Sequence, residues 1–179
     1  NTGTPGTPVV VFTSEYDIAN RLRELQSTVG GTSDFVNTYD YDQRNNLTSL
    51  TQSDDIGNNV ARKRVVFRYS DRDELIGIDR YNEDSIGTEL LAAQSTLSYD
   101  LQHRLERIIH NGADDQGGMS EVLAHYDWRY DQKGRVARFT STRDGTAFYT
   151  YDDRDQLTGE FYTDEYFDAN GNVQTAIGG

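Results

Sequence analysis

The chain has 179 residues, a formal net charge of −13, two Pro and no Cys. The acidity argues against nucleic acid and anionic lipid as partners, because phosphate binding needs clustered Lys and Arg. The missing Cys excludes disulfides and thiolate metal sites, so packing and backbone pairing must hold the fold.

In chain order, residues 1–11 come first as a flexible lead-in. Both prolines, Pro5 and Pro8, lie in "NTGTPGTP", and the ordered chain is expected to open near Val9. Opening on Asn and closing on "AIGG", the chain has the look of an excised segment of a larger protein, with neither a signal peptide nor a membrane-length apolar run. Residues 12–179 then write one ten-residue pattern seven times: "YDIANRLREL", "YDQRNNLTSL", "YSDRDELIGI", "YDLQHRLERI", "YDQKGRVARF", "YDDRDQLTGE" and "FDANGNVQTA". The copies start 16 to 31 residues apart, a looser period than stacked helical repeats keep.

The first position is aromatic in every copy: Tyr16, Tyr41, Tyr69, Tyr99, Tyr130, Tyr151 and Phe167. The second is Asp17, Asp42, Asp100, Asp131, Asp152 or Asp168, with Ser70 in the third copy. Such side chains accept backbone N–H bonds two residues on and start tight turns. The fifth holds Asn20, Asn45, Asp73, His103, Gly134, Asp155 and Gly171, the residue types that best tolerate positive φ. The seventh is Leu22, Leu47, Leu75, Leu105, Val136, Leu157 or Val173. Three residues later come Leu25, Leu50, Ile78, Ile108 and Phe139, a column that Glu160 and Ala176 break. Each copy therefore predicts strand end, tight turn and apolar return strand, a β-hairpin.

The incoming segments alternate as strands do. "EVLAHYDWRYD" puts Val122, Ala124, Tyr126, Trp128 and Tyr130 on a packed face, with Leu123, His125, Asp127 and Arg129 on a wet one. "RVVFRYS" sets Val65, Phe67 and Tyr69 opposite Arg64, Val66 and Arg68. "GTELLAAQ" predicts at most a single helical turn. "DDIGNNVARK" and "NGADDQGGMS" are expected to protrude as loops.

From about Phe12 to Val173 the Tyr-Asp, turn and Leu pattern resembles the RHS/YD-repeat family of RHS toxins, insecticidal toxin-complex shells and teneurins. "YFDANGNV" and "RYDQKGRVARF" match it best. The resemblance implies an all-β fold of consecutive antiparallel hairpins in a curved or spiralling sheet, part of a shell or barrel. It also implies a structural role for the Tyr, Asp and Leu/Val columns. Two departures stand out: full shells carry many more repeats than seven, and the Asp-Pro of the family's self-cleaving region is absent.

Catalytic patterns are missing. His103 fills a turn position, and His110 and His125 have no metal-ligand spacing. The pairs Asp54–Asp55, Asp114–Asp115 and Asp152–Asp153 fall in loops or turns, and "GGMSE" is no nucleophile elbow. Asp168, Asn170 and Asn172 have calcium-loop spacing without the closing Glu. Asn46 heads a glycosylation sequon.

The reading is a non-catalytic structural module of a secreted or cell-surface shell or stalk, without cofactor or metal. Its partners would be neighbouring repeats of the parent chain or further copies through sheet edges, with no nucleic acid and no membrane insertion. The alternatives are an adhesin-like module binding a glycan or protein through Tyr81, Tyr162 and Tyr166, or a filament subunit pairing through open edges.

Overall fold

The computed structural model describes residues 9–53, 61–83, 87–114, 117–168 and 172–175, and every regular element among them is a strand. In chain order these are β1 (Val10–Tyr16), β2 (Leu22–Val29), β3 (Thr32–Tyr41), β4 (Leu47–Ser53), β5 (Lys63–Tyr69), β6 (Leu75–Glu83) and β7 (Glu89–Tyr99). They continue as β8 (Leu105–Ala113), β9 (Met119–Tyr130), β10 (Val136–Ser141), β11 (Gly145–Tyr151), β12 (Leu157–Thr163), β13 (Glu165–Phe167) and β14 (Val173–Thr175). β1 to β12 follow one another in a single sheet, and β13 pairs only with β14. The expected consecutive antiparallel hairpins are what the chain forms. It divides into two compact units, residues 1–92 with 115–117 and residues 93–114 with 118–179, so that β7 belongs to both.

The repeat turn has one geometry throughout. In the first copy the Asp17 carbonyl accepts the Asn20 N–H at 2.9 Å, and the Asp17 N–H donates to the Arg21 carbonyl at 2.9 Å. The fifth position has φ of 59° at Asn20, 69° at Asn45, 63° at Asp73, 62° at His103, 85° at Gly134 and 63° at Asp155. This is a three-residue hairpin loop closed by a left-handed residue, and the fifth column supplies the residue types that bear that conformation. Gly171 lies outside the described residues.

A second irregularity follows each of the first six repeat turns and is missing from the seventh, where Phe167↔Val173 and Tyr166↔Gln174 pair without a slip. Tyr16 pairs with Leu22 but Glu15 pairs with Glu24, so Arg23 is an extra residue on the return strand. The same slip separates Tyr41↔Leu47 from Asp40↔Ser49, and Tyr130↔Val136 from Arg129↔Arg138. One inserted residue turns positions seven and ten, three apart in sequence, onto the same face. The tenth residue then meets the residue two before the Tyr: Tyr39↔Leu50, Phe67↔Ile78, Leu97↔Ile108 and Trp128↔Phe139.

In the first unit, β2 and β3 join through Gly30 and Gly31 at φ 61° and 84°. A two-residue hairpin turn of this hand needs positive φ twice. In the second unit, β10 and β11 join through Thr142–Asp144. There the buried Ser141 hydroxyl donates to Asp144 at 2.9 Å and accepts the Asp144 N–H at 2.8 Å. Apolar burial is thin: among the described residues, Val36 and Ala147 are the buried apolar side chains, against eight buried polar ones.

Three local expectations are corrected. "GTELLAAQ" makes no helical turn, because Glu89 onward is β7, where a strand between two neighbours outweighs weak helix propensity. "NGADDQGGMS" is half strand, since Asn111–Ala113 end β8 and Met119 and Ser120 open β9, which narrows the connection to residues 114–118. On β9 the alternation breaks where His110 pairs with Ala124 and Asn111 with Val122, so Val122 leaves the face of Ala124 and Tyr126. The face expected to be wet holds His125 and Asp127, both buried. Of "DDIGNNVARK", residues 54–60 lie outside the described residues, Ala61 and Arg62 are irregular and Lys63 opens β5.

The seventh copy does form a hairpin, with the Asp168 N–H donating to the Asn172 carbonyl at 2.9 Å. It does not extend the sheet. Asp164 is the single residue between β12 and β13, too few for the reversal that pairing β13 on β12 would need. Instead the Glu165 carbonyl accepts the Thr146 hydroxyl of β11 at 2.6 Å.

Candidate functional site

The residues of the repeat meet at the turn end of each hairpin. The Asp17 carboxylate accepts the N–H groups of Ala19 and Arg21, both at 2.9 Å, and the Arg21 guanidinium at 2.7 and 2.6 Å. Asp100 with Arg104 and Asp131 with Arg135 repeat the arrangement. Asp42 and Asp152 accept the same two backbone N–H bonds without the Arg. The backbone N–H and guanidinium of Arg21 hold Asp17 below the usual carboxylate range, and those of Arg135 do the same for Asp131. For Asp100 the Arg104 guanidinium leads. At Asp42 burial pushes upward and is outweighed by the bonds from Asn46 and Arg44.

The sixth position, which the sequence analysis passed over, carries the contact to the next turn. Arg21 donates onward to the Asp42 carbonyl at 3.1 Å and to Asn45 Oδ1 at 3.0 Å. Arg135 donates to the Asp152 carbonyl at 3.1 Å and to Asp155 Oδ1 at 2.7 Å, and Asn46 to Asp73 Oδ1 at 2.9 Å. The fifth residue is therefore both the left-handed residue of its own turn and the acceptor for the turn before. The column Arg21, Asn46, Glu74, Arg104, Arg135, Gln156, Asn172 was visible as polar in every copy. Its target, more than twenty residues away in the first two cases, was not.

The Tyr column makes a second tie. The Tyr41 hydroxyl donates to the Leu22 carbonyl at 2.9 Å, Tyr69 to Leu47 at 3.1 Å, Tyr130 to Leu105 at 2.7 Å and Tyr151 to Val136 at 2.8 Å. The bulge takes that seventh-position carbonyl out of the regular ladder, and the hydroxyl of the following hairpin satisfies it. Arg21, Arg104 and Arg135 lie 4.7, 4.3 and 4.5 Å from the ring centres of Tyr41, Tyr130 and Tyr151. Within the columns, Tyr16, Tyr69, Tyr99, Tyr151 and Phe167 sit opposite Leu22, Leu75, Leu105, Leu157 and Val173.

The third copy swaps the chemistry. Ser70 replaces Asp, and its hydroxyl donates to the Glu74 carboxylate at 3.1 Å while accepting the Arg72 and Glu74 N–H groups at 3.2 Å. Acceptor and donor have exchanged positions, and the turn is kept.

In the second unit an open recess of about 510 Å³ is lined by Trp128, Val136, Phe139, Tyr149, Tyr151 and Leu157. Tyr126 stacks on Trp128 and Phe139 at centroid distances of 6.2 Å. On the opposite face, His125, 2% exposed, stands 2.5 Å from Asp127, whose other oxygen accepts from Arg107 at 2.9 Å. Burial pushes the Asp127 carboxyl up, but His125 and Arg107 outweigh it and hold it below the usual range. His125, Asp127 and Arg107 thus form a charge-paired group with a buried carboxylate at its centre.

The remaining candidates disperse. Tyr81, in the first unit, is covered by Arg64 at 4.8 Å. In the second unit Tyr162 is exposed and donates to Glu160, which raises its pKa to about 12, while Tyr166 pairs with Gln174 across β13 and β14. His110 Nδ1 bonds the Ser95 hydroxyl at 2.8 Å. The Asn46 amide bonds Asp42 and Asp73, so a glycan on it would break the turn contacts. Asn172 donates to Asp168 at 3.0 Å, and Asn170, Asp54 and Asp55 lie outside the described residues.

No protein-family model and no curated protein matches the sequence. Among solved structures, two crystal structures of TcdB2-TccC3, one with Cdc42 and one without the hypervariable C-terminal region, match 81% of this chain at 15% identity and a TM-score of 0.39. This chain spans 9% of the length of each. A porin-like protein from Bacteroides uniformis matches 96% of this chain and 88% of its own length, at 14% identity and a TM-score of 0.36.

Proposed function

We propose that this chain is a non-catalytic structural module of YD-repeat type, a strip of sheet from a secreted or cell-surface shell or stalk protein. One observation carries the reading: within each unit the recurrent Tyr hydroxyls and polar sixth residues tie hairpins to their neighbours, while the second-position Asp closes its own turn. Stability of this kind adds along the chain by nearest-neighbour terms, which suits a spacer or wall.

The aromatic recess favours a second reading, a glycan-binding module, since stacked Trp and Tyr rings beside hydroxyls suit sugar faces. A glycan array separates the two. The structural reading expects no saturable binding by the wild type or by Trp128→Ala. Saturable binding that Trp128→Ala abolishes, with an unchanged circular dichroism spectrum, would replace it.

A further inference from the structure

The ties between successive hairpins follow one register. The ninth residue of one hairpin pairs with the residue three before the next Tyr: Glu24↔Thr38, Ser49↔Val66, Arg107↔Asp127 and Arg138↔Phe148. At the two ends of the strand order the matching groups are unspent. Tyr16 is 59% exposed, and neither its hydroxyl nor the Asn20 side chain has a partner among the described residues. At the other end, the side chain of Gln156 is likewise without a partner among the described residues, and Leu157 is 56% exposed.

We infer that β1 of one copy pairs with β12 of a second copy, head to tail, in the register the chain uses internally. This rests on the structural reading above and names its partner. Applied to the two edges, the rule sets Gly159 against Thr13, Glu160 against Phe12, Phe161 against Val11 and Tyr162 against Val10. Tyr16 then donates to the Leu157 carbonyl, and the Gln156 amide reaches Asn20 Oδ1, as Asn46 reaches Asp73.

The backbone agrees. The Val9 carbonyl accepts the Gly30 N–H, so alternation along β1 turns the N–H and C=O of Val10 and Phe12 outward. The shared hairpin geometry turns those of Glu160 and Tyr162 outward on β12. Phe12 opposite Glu160 and Val10 opposite Tyr162 are thus pairs whose backbone groups face outward, as a ladder between copies requires. Val10, Val11, Phe12, Phe161 and Tyr162 are all exposed apolar residues on these edges. Neither strand contains the Lys or Pro that usually guards an edge. A contact between two different edges leaves one edge of each kind open at every step, so copies add head to tail beyond a dimer, into a line or a ring.

Two substitutions test this on the full chain, Phe12→Pro at β1 and Tyr162→Pro at β12. Each removes an outward N–H and leaves the intramolecular ladder intact. Light scattering across a concentration series should show the wild type growing past twice the monomer mass, and each variant alone remaining monomeric. An equimolar mixture of the two should stop at a dimer, because one open β1 edge and one open β12 edge remain. If a proline variant loses its far-ultraviolet spectrum, Phe12→Lys and Tyr162→Lys replace the pair.

A wild type that stays monomeric at its highest soluble concentration overturns the inference, as does a single variant that still associates. Either result leaves the structural reading standing. That reading falls to the glycan array instead.

Discussion

At the scale of single residues, the Tyr column separates ring from hydroxyl. Tyr130 places its ring under Arg104 and its hydroxyl on the Leu105 carbonyl. Tyr130→Phe keeps the ring and orphans a carbonyl, so it should cost about 1 kcal/mol, read as a lower midpoint in urea. Tyr16→Phe is the internal control: its hydroxyl has no partner among the described residues, and the same measurement on dilute monomer should barely move. The Asp and Leu columns were legible in the sequence because their chemistry is local. The sixth column was not read, because an Arg bonded to its own turn and the next one looks like any surface Arg until the next turn is placed beside it.

At the scale of the hairpin, the turn carboxylates link stability to pH. Asp17, Asp42, Asp100 and Asp131 all titrate below their ordinary 3.8 when folded. The buried Asp127 does too. A depressed pKa means that the unfolded chain binds protons more tightly, so this stabilisation is complete above about pH 5 and drains away as pH falls through the folded values. Thermal midpoints should therefore be level between pH 5 and 7 and drop steeply below about pH 4. A midpoint that rises on acidification would contradict the turn assignment. The bulge belongs to this scale as well. The three-residue step from Leu22 to Leu25 was present in the sequence, but only the slip between Glu15 and Tyr16 shows that both lie on one face.

At the scale of the whole molecule, hairpin-to-hairpin ties stand in for a core. With two buried apolar side chains among the described residues, protection should follow position in the strand order. Hydrogen exchange read by mass spectrometry should find β1 and β12 fastest, since each lacks a neighbour on one side in the sheet, and strands such as β3, β4, β9 and β10 slower. Equal protection at edge and interior would mean that something covers the edges.

The sequence by itself determined the hairpins, because a Tyr-Asp opening, a left-handed fifth residue and an apolar seventh act within seven residues of one another. It also determined the antiparallel succession, since a chain of short turns can hardly pair otherwise. The tertiary structure alone decided what each turn bonds to in the next, and that "GTELLAAQ" becomes strand between two neighbours. It alone decided that His125 and Asp127 are buried and that the seventh hairpin leaves the sheet. Each of these depends on partners remote along the chain, or on whether one residue between two strands leaves room to turn, and local pattern carries neither.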